Sequence, residues 1–355
     1  KVMCLFGPAP ALFSGLPVSL VKRWLDAAYG GSPWLAPLFP LGSLYRYLMR
    51  RRARDYRRGG KPVWRAEVPV IVVGNITLGG TGKSPLVAWL GRWLVAQGYS
   101  PGIVTRGYGG TAPHYPLHVT PTTDPAHSGD EPLMLVQQTG LPVIADPQRV
   151  RGARALVEMG CDVVISDDGL QHLALGRDIE LVVVDGSRGL GNQRCLPAGP
   201  LREGVARLQQ VDAVIVNGTL TAPLPVPSVA MQLVPQGWRK LASGQHYPLA
   251  PLPFTLPAHA LAGIGNPQRF FKTLETLGVH GEQHPLADHH AFDERTFKPM
   301  AFGPVVMTAK DAVKCRELAP ADSWVLEVEA RLPEEFEDWL ASRLAELTQR
   351  GSTDG

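Results

Sequence analysis

The chain has 355 residues, 45% of them apolar and 19% charged, which suits ordinary packed cores in about two domains and excludes a disordered chain. Net charge is only +3, so overall charge selects no class of partner. The four cysteines, Cys4, Cys161, Cys195 and Cys315, show no CxxC or Cys/His spacing and indicate neither a disulfide framework nor a zinc site.

In chain order, residues 32–49 (SPWLAPLFPLGSLYRYLM) are apolar and aromatic, with Arg46 the only charge. Residues 50–61 (RRRARDYRRGGK) then carry seven basic side chains against one acid. An apolar aromatic stretch followed by arginines suits the surface of an anionic membrane, where each cation is worth ~1 kcal/mol. Pro37 and Pro40 argue against an uninterrupted span, so attachment at the surface or partial embedding is expected over a full crossing. A core helix followed by a solvated basic helix is the plainer reading of the same residues.

From residue 68 the pattern becomes α/β. Short β-branched runs at 68–75, 141–146, 161–168, 179–186 and 211–218 read as strands buried on both faces. Residues 101–109 read as a strand entering a glycine-rich loop, and 85–98 as a helix. Each of these strands ends in Asp, Asn or Gly, the kind of end that lines the crevice of an open parallel sheet. A proline-rich joint at 219–227 leads to a smaller α/β unit, and an amphipathic helix follows 332. The expected division is therefore 1–61, a membrane-associated segment; 62–218, a first α/β domain with a parallel sheet flanked by helices; 219–331, a second, smaller α/β domain; and 332–355, a helix and tail packing on the first domain.

The chemistry concentrates where the first strand meets the first helix of that sheet, in VIVVGNITLGGTGKSP. Thr77, Leu78, Gly79, Gly80, Thr81, Gly82, Lys83 and Ser84 form the expected nucleotide loop. Glycines let backbone N–H groups close on a phosphate, and the helix N-terminus adds a positive dipole end. Lys83 would reach the β- and γ-phosphates and Ser84 would ligate Mg²⁺, so ATP and Mg²⁺ are the expected cofactors, and 62–218 is expected to be a kinase domain with a P-loop NTPase-type sheet. Thr77 stands where the general pattern has its first glycine. Downstream, Asp167 and Asp168 end a strand where a metal or its water shell would sit. Asp130 and Glu131 lie in HSGDEP, where they suit a base and a metal-shell ligand. Arg202 in LPAGPLREG could stabilise a transferring phosphoryl group, and ADHHAF offers His289 or His290 as a partner for an acid. Taken singly, each of these also reads as a capped turn, solvated acids or a surface ion pair.

GNITLGGTGKSP, TRGYGG, SGDEP, ISDDGLQH, LPAGPLRE, GIGNP, ADHH and MTAKDAVKC in this order resemble the tetraacyldisaccharide 4′-kinase (lipid A 4′-kinase) family, from about Trp24 to the end. Leu170 and Ala309 depart from residues common there. The family's phosphate loop also lacks the first glycine, which accounts for Thr77. The resemblance implies transfer of the γ-phosphate of ATP to the 4′-hydroxyl of a tetraacyl glucosamine disaccharide 1-phosphate. It implies a membrane lipid and the membrane surface as partners, no nucleic acid, and a place at the cytoplasmic face of a bacterial inner membrane. It makes Asp130 the catalytic base, with His289, the first histidine of its motif, as partner. Lys83 and Arg202 join them as catalytic residues, and Ser84, Glu131, Asp167 and Asp168 form the metal shell. Arg106, Tyr108 and Arg149 fall on the substrate side. Two rival readings are a P-loop phosphotransferase for a soluble metabolite and a nucleotide switch. The second would want a guanine signature, and Asn217 is followed by no lysine and aspartate.

Overall fold

The computed structural model describes residues 18–288 and 290–353. His289 and the start of the expected N-terminal segment thus lie outside the described residues. In chain order, α1 (Val18–Gly30) and a 3₁₀ turn (Pro33–Leu38) lead into α2 (Phe39–Arg57), β1 (Val70–Gly74), α3 (Lys83–Ala96), β2 (Pro101–Thr105) and β3 (Leu117–Val119). Then come α4 (Pro125–Ser128), α5 (Asp130–Thr139), β4 (Val143–Ala145), α6 (Arg149–Glu158), β5 (Val163–Asp167), β6 (Ile179–Asp185), β7 (Ala213–Asn217), β8 (Val229–Lys240) and β9 (His246–Tyr247). The chain continues through β10 (Ala258–Ala262), α7 (Pro267–Thr276), β11 (Gly281–Pro285), α8 (Glu294–Phe297), β12 (Val305–Thr308), α9 (Ala309–Cys315), β13 (Ser323–Arg331) and α10 (Glu334–Thr353).

The chain gathers into two compact units, each assembled from separate stretches. Of the described residues, the first comprises 18–83, Ile165–Met231 and 332–353; the second comprises Ser84–Val164 and the rest of Gln232–Arg331. In the first unit, β1 pairs β6, β6 pairs β7 and β7 pairs the start of β8, all parallel. Every residue of β1 and β6 is buried, as their unbroken apolar runs require of strands covered on both faces. In the second unit β2 pairs β4 in parallel and β3 closes on β4 antiparallel. There too β11, β10, β12 and β13 run parallel, while β8 joins β13 antiparallel with a bulge between Glu327 and Val328. The α5 and α9 helices pack together, which ties the 84–164 stretch to the 232–331 stretch. The fold is mixed α/β with parallel pairing dominant, as expected.

The apolar stretch and the arginine run form one element rather than two, since α2 carries both. Pro37 lies inside the 3₁₀ turn and Pro40 in the first turn of α2, where a missing N–H leaves no hydrogen bond unmade. One face of α2 buries Gly42 and Tyr45. A Cβ on Gly42 would fall 2.8 Å from Ala198 Cβ and from the Cys195 carbonyl oxygen, so only glycine permits this approach. Leu41, Leu44 and Tyr47, at helical spacing on α2, are each about half exposed, as is Trp34. No described helix is long and apolar enough to cross a membrane.

Candidate active site

The phosphate loop hangs between the end of β1 and the start of α3. Gly79 and Gly82 have φ of +91° and +92°, a region that side-chain-bearing residues rarely enter. Space forbids a side chain as well: a Cβ on Gly82 would lie 2.1 Å from Asn217 Nδ2, and one on Gly79 would lie 2.9 Å from Arg188 Nη1. Thr77 needs no such freedom. It forms an antiparallel bridge with Leu201, flanked by bonds from Leu78 N–H to the Pro200 carbonyl (2.8 Å) and from Arg202 N–H to the Ile76 carbonyl (2.7 Å). The first half of the loop is therefore a short ladder with the segment that carries Arg202. The second half is braced by side chains. Asn217, at the end of β7, donates Nδ2 to the Thr81 carbonyl (3.0 Å). Arg188 donates to the Gly80 carbonyl, and Asn75 Nδ2 reaches Gly79 O and Thr81 Oγ1, both at 3.4 Å. From α1, the Tyr29 hydroxyl donates to the Leu78 carbonyl (2.5 Å) while Arg188 lies over its ring at 5.0 Å.

Beside the loop, Asp168 gathers two cations. Lys83 Nζ is 3.6 Å from Asp168 Oδ1, and Arg202 Nη1 donates to Oδ1 at 3.2 Å and to Oδ2 at 3.1 Å. Asp168 has φ +48°, a conformation uncommon outside glycine and typical of functional turns. It follows Asp167, which is buried at the end of β5. Close approach of the β1 end to this turn requires glycine, since a Cβ on Gly74 would sit 2.6 Å from Leu170 Cβ. The neighbouring Glu203 accepts from Gln171 Nε2 at 2.8 Å, and burial raises its pKa. The unit thus presents Lys83, Arg188 and Arg202 around a glycine cradle, a charge and shape that fit phosphate. Asp167 and Asp168 add hard oxygen donors of the kind Mg²⁺ takes.

In the second unit, Asp130 and Glu131 open α5 after Gly129 (φ +83°), at the end of the helix whose dipole favours carboxylates. The TRGYGG loop touches this turn backbone to backbone. A Cβ on Gly129 would fall 2.4 Å from the Tyr108 carbonyl oxygen, and one on Gly110 would fall 2.4 Å from that of His127. That contact sets Arg106 and the exposed Tyr108 next to the SGDEP turn. Arg149 opens α6, buried, with Nη1 donating to the Asp146 carbonyl at 2.9 Å. His290 is held in its own loop, its Nε2 3.4 Å from Thr296 Oγ1 and its ring edge-on to Phe292.

Lys310 is a site residue that the sequence reading missed. Its Nζ lies 3.2 Å from Glu131 Oε1 and 3.1 Å from Asp288 Oδ1. Burial opposes its charge, but the two carboxylates outweigh burial and raise its pKa. Lys310 sits at the start of α9, where the Thr308 side chain caps the helix by accepting from Asp311 N–H. The buried Asp311 in turn accepts from Gly263 N–H (3.0 Å) and from the Thr308 hydroxyl (2.7 Å). GIGNP and MTAKDAVKC, read from sequence only as markers, are thus joined through Asp311.

A family model described as tetraacyldisaccharide-1-P 4′-kinase matches residues 34–345. Relatives called tetraacyldisaccharide 4′-kinase include one from Pseudomonas paraeruginosa, 48% identical over 336 residues (94% of this chain, 100% of that protein). Another, from Alkalilimnicola ehrlichii, is 52% identical over 335 residues (94% and 98%). The fold is similar to the crystal structure of LpxK from Aquifex aeolicus in complex with ATP, with TM-score 0.73 at 24% identity, covering 88% of this chain and 99% of that one.

Proposed function

The chain belongs to the tetraacyldisaccharide-1-P 4′-kinase family, and from that premise we propose which of its residues carry out each part of the reaction. It is an ATP-dependent kinase of a lipid A precursor, and the two rival readings, a soluble-metabolite phosphotransferase and a nucleotide switch, are not favoured.

The observation that carries the assignment of roles is the braced glycine cradle with Lys83 and Arg202 sharing Asp168 beside it. Residues 77–84 bind the ATP phosphates through loop amides and Lys83. As the γ-phosphoryl group leaves ADP, its P–O bond breaks and a bond to the acceptor 4′-oxygen forms, while Arg202 offsets charge on the phosphoryl oxygens. Asp130 accepts the hydroxyl proton. A carboxylate suffices because a loose transition state asks more of positioning than of base strength. His289 is assigned as its partner, sharing that proton and orienting the carboxylate. Mg²⁺ neutralises phosphate charge when bound with ATP, and Ser84, Glu131, Asp167 and Asp168 are the oxygen donors that would hold it. Arg106, Tyr108 and Arg149 receive the acceptor. Lys310 positions Glu131 and Asp288.

The acceptor is the tetraacyl glucosamine disaccharide 1-phosphate, met at the cytoplasmic face of the bacterial inner membrane, with no nucleic-acid partner. The half-exposed Trp34, Leu41, Leu44 and Tyr47, followed by the arginines of α2, support surface attachment.

Steady-state kinetics with separate measurement of ATP affinity test the roles. Asp130→Ala and His289→Ala should each lower kcat with ATP affinity nearly unchanged. Lys83→Ala should impair both. Wild-type turnover in Asp130→Ala would remove the base assignment, and intact ATP affinity and turnover in Lys83→Ala would remove the phosphate-loop assignment.

A further inference from the structure

The second unit also brings together two histidines and a glutamate that the proposed reaction does not use. His259 lies on β10, and Glu282 and His284 lie two apart on the adjacent β11. The parallel register sets His259 opposite Glu282 and Leu261 opposite His284. Because strand residues two apart share a face, all three side chains project from one side of the pair. The scaffold is stiff. Ala258, Ala260 and Ala262 enter a core with Phe270, Phe271 and Leu274, and Leu261 is fully buried. His259 Nδ1 is 3.1 Å from His284 Nε2, and Glu282 Oε2 is 3.8 Å from each of these nitrogens. Four-coordinate zinc, with Zn–N and Zn–O near 2.0–2.2 Å, sets its ligand atoms about 3.3–3.5 Å apart. The three donors therefore need to move by only a few tenths of an ångström, a shift within reach of the exposed Glu282 side chain.

A second observation fixes the tautomer. His259 Nε2 is 3.0 Å from the Phe302 carbonyl oxygen, which can only accept. Nε2 thus carries the proton, and the Nδ1 lone pair faces the cluster. A ligating histidine commonly has its outer N–H held by a carbonyl in this way. With the site empty, His284 Nε2–H donates to that lone pair; with an ion bound, His284 carries its proton on Nδ1 instead.

The geometry points to a divalent transition-metal site formed by His259 Nδ1, His284 Nε2 and a Glu282 carboxylate oxygen, suited to Zn²⁺ with one position left for water. Two imidazoles and one carboxylate favour zinc over Mg²⁺, whose preferred donors are all oxygen. The site is distinct from the magnesium shell proposed above and shares no residue with it.

Equilibrium dialysis of the untagged full-length protein against Zn²⁺, with Co²⁺ spectra as a second probe, tests the inference. Wild type should bind one tight equivalent and give a four-coordinate Co²⁺ spectrum. His259→Gln with His284→Gln should abolish both signals. Glu282→Gln, at an exposed position where folding is not at risk, should weaken Zn²⁺ binding at least about tenfold, as loss of a supporting group alone commonly does. Equal Zn²⁺ affinity in wild type and Glu282→Gln would overturn the site, as would a Co²⁺ spectrum unchanged in the double variant. In either case the pair would be only a hydrogen bond between strands.

Discussion

Asn217 Nδ2 would be only 2.1 Å from a Cβ on Gly82, so Gly82→Ala must push the β7 end and the loop apart. The same step breaks the Asn217 bond to the Thr81 carbonyl. ATP affinity should fall at least roughly tenfold, on the order of one charge-assisted contact, with the circular-dichroism spectrum retained; an unchanged dissociation constant would contradict the bracing role. Lys310 makes a different prediction. Lys310→Met leaves Glu131 and Asp288 without their shared cation, and each carboxylate side chain is 29% exposed. Partial solvation keeps the cost to about 1–3 kcal/mol in denaturant unfolding. Because the folded pKa of Lys310 is raised, its contribution is fully present below the unfolded value near ~10.4 and is lost only as pH rises through the folded value. The stability gap between wild type and Lys310→Met should therefore be flat with pH up to the unfolded pKa of lysine and close only in stronger alkali. Residues such as Lys83, Asp168 and Arg202 were legible because each sits in a contiguous motif with its own chemistry. Asn217, Arg188, Tyr29 and Lys310 were not. Their roles come from elements far apart in the chain, and an asparagine ending a strand carries no mark of the loop it will brace.

Among the elements, α2 offers the face proposed to meet the membrane. Gly42 and Tyr45 fix one face inward, so Leu41, Leu44 and Tyr47 face outward because of helical geometry and not through poor packing. Leu41→Asp with Leu44→Asp should reduce binding to anionic vesicles roughly tenfold or more, given the apolar area of two leucines. Affinity for ATP should not change. Equal vesicle binding would refute the attachment surface. The strands at β1, β5, β6 and β7 were readable within a residue or two because continuous apolar runs mark strands buried on both faces. The twelve residues of β8 were not readable as one strand. Pro235 and Gly237 interrupt its pattern, and it pairs in parallel with β7 at its start and antiparallel with β13 beyond, where the register shifts.

For the whole molecule, each compact unit draws on separate stretches of chain, with β5 and β8 passing from one to the other. The proposed division at 61, 218 and 331 concerns which segments fold alone, and limited proteolysis reads it: stable fragments ending near residues 61 and 218 would support it, and cleavage confined elsewhere would not. The phosphate loop is proposed to serve a membrane-held sugar hydroxyl. The most direct test is to incubate the purified chain with Mg²⁺, ATP labelled in its γ-phosphate and detergent-dispersed tetraacyl disaccharide 1-phosphate, then separate the lipids. Wild type should give label in a bisphosphorylated lipid and Lys83→Ala none; hydrolysis of ATP without labelled lipid, or labelled lipid undiminished in Lys83→Ala, would overturn the proposed role of the loop.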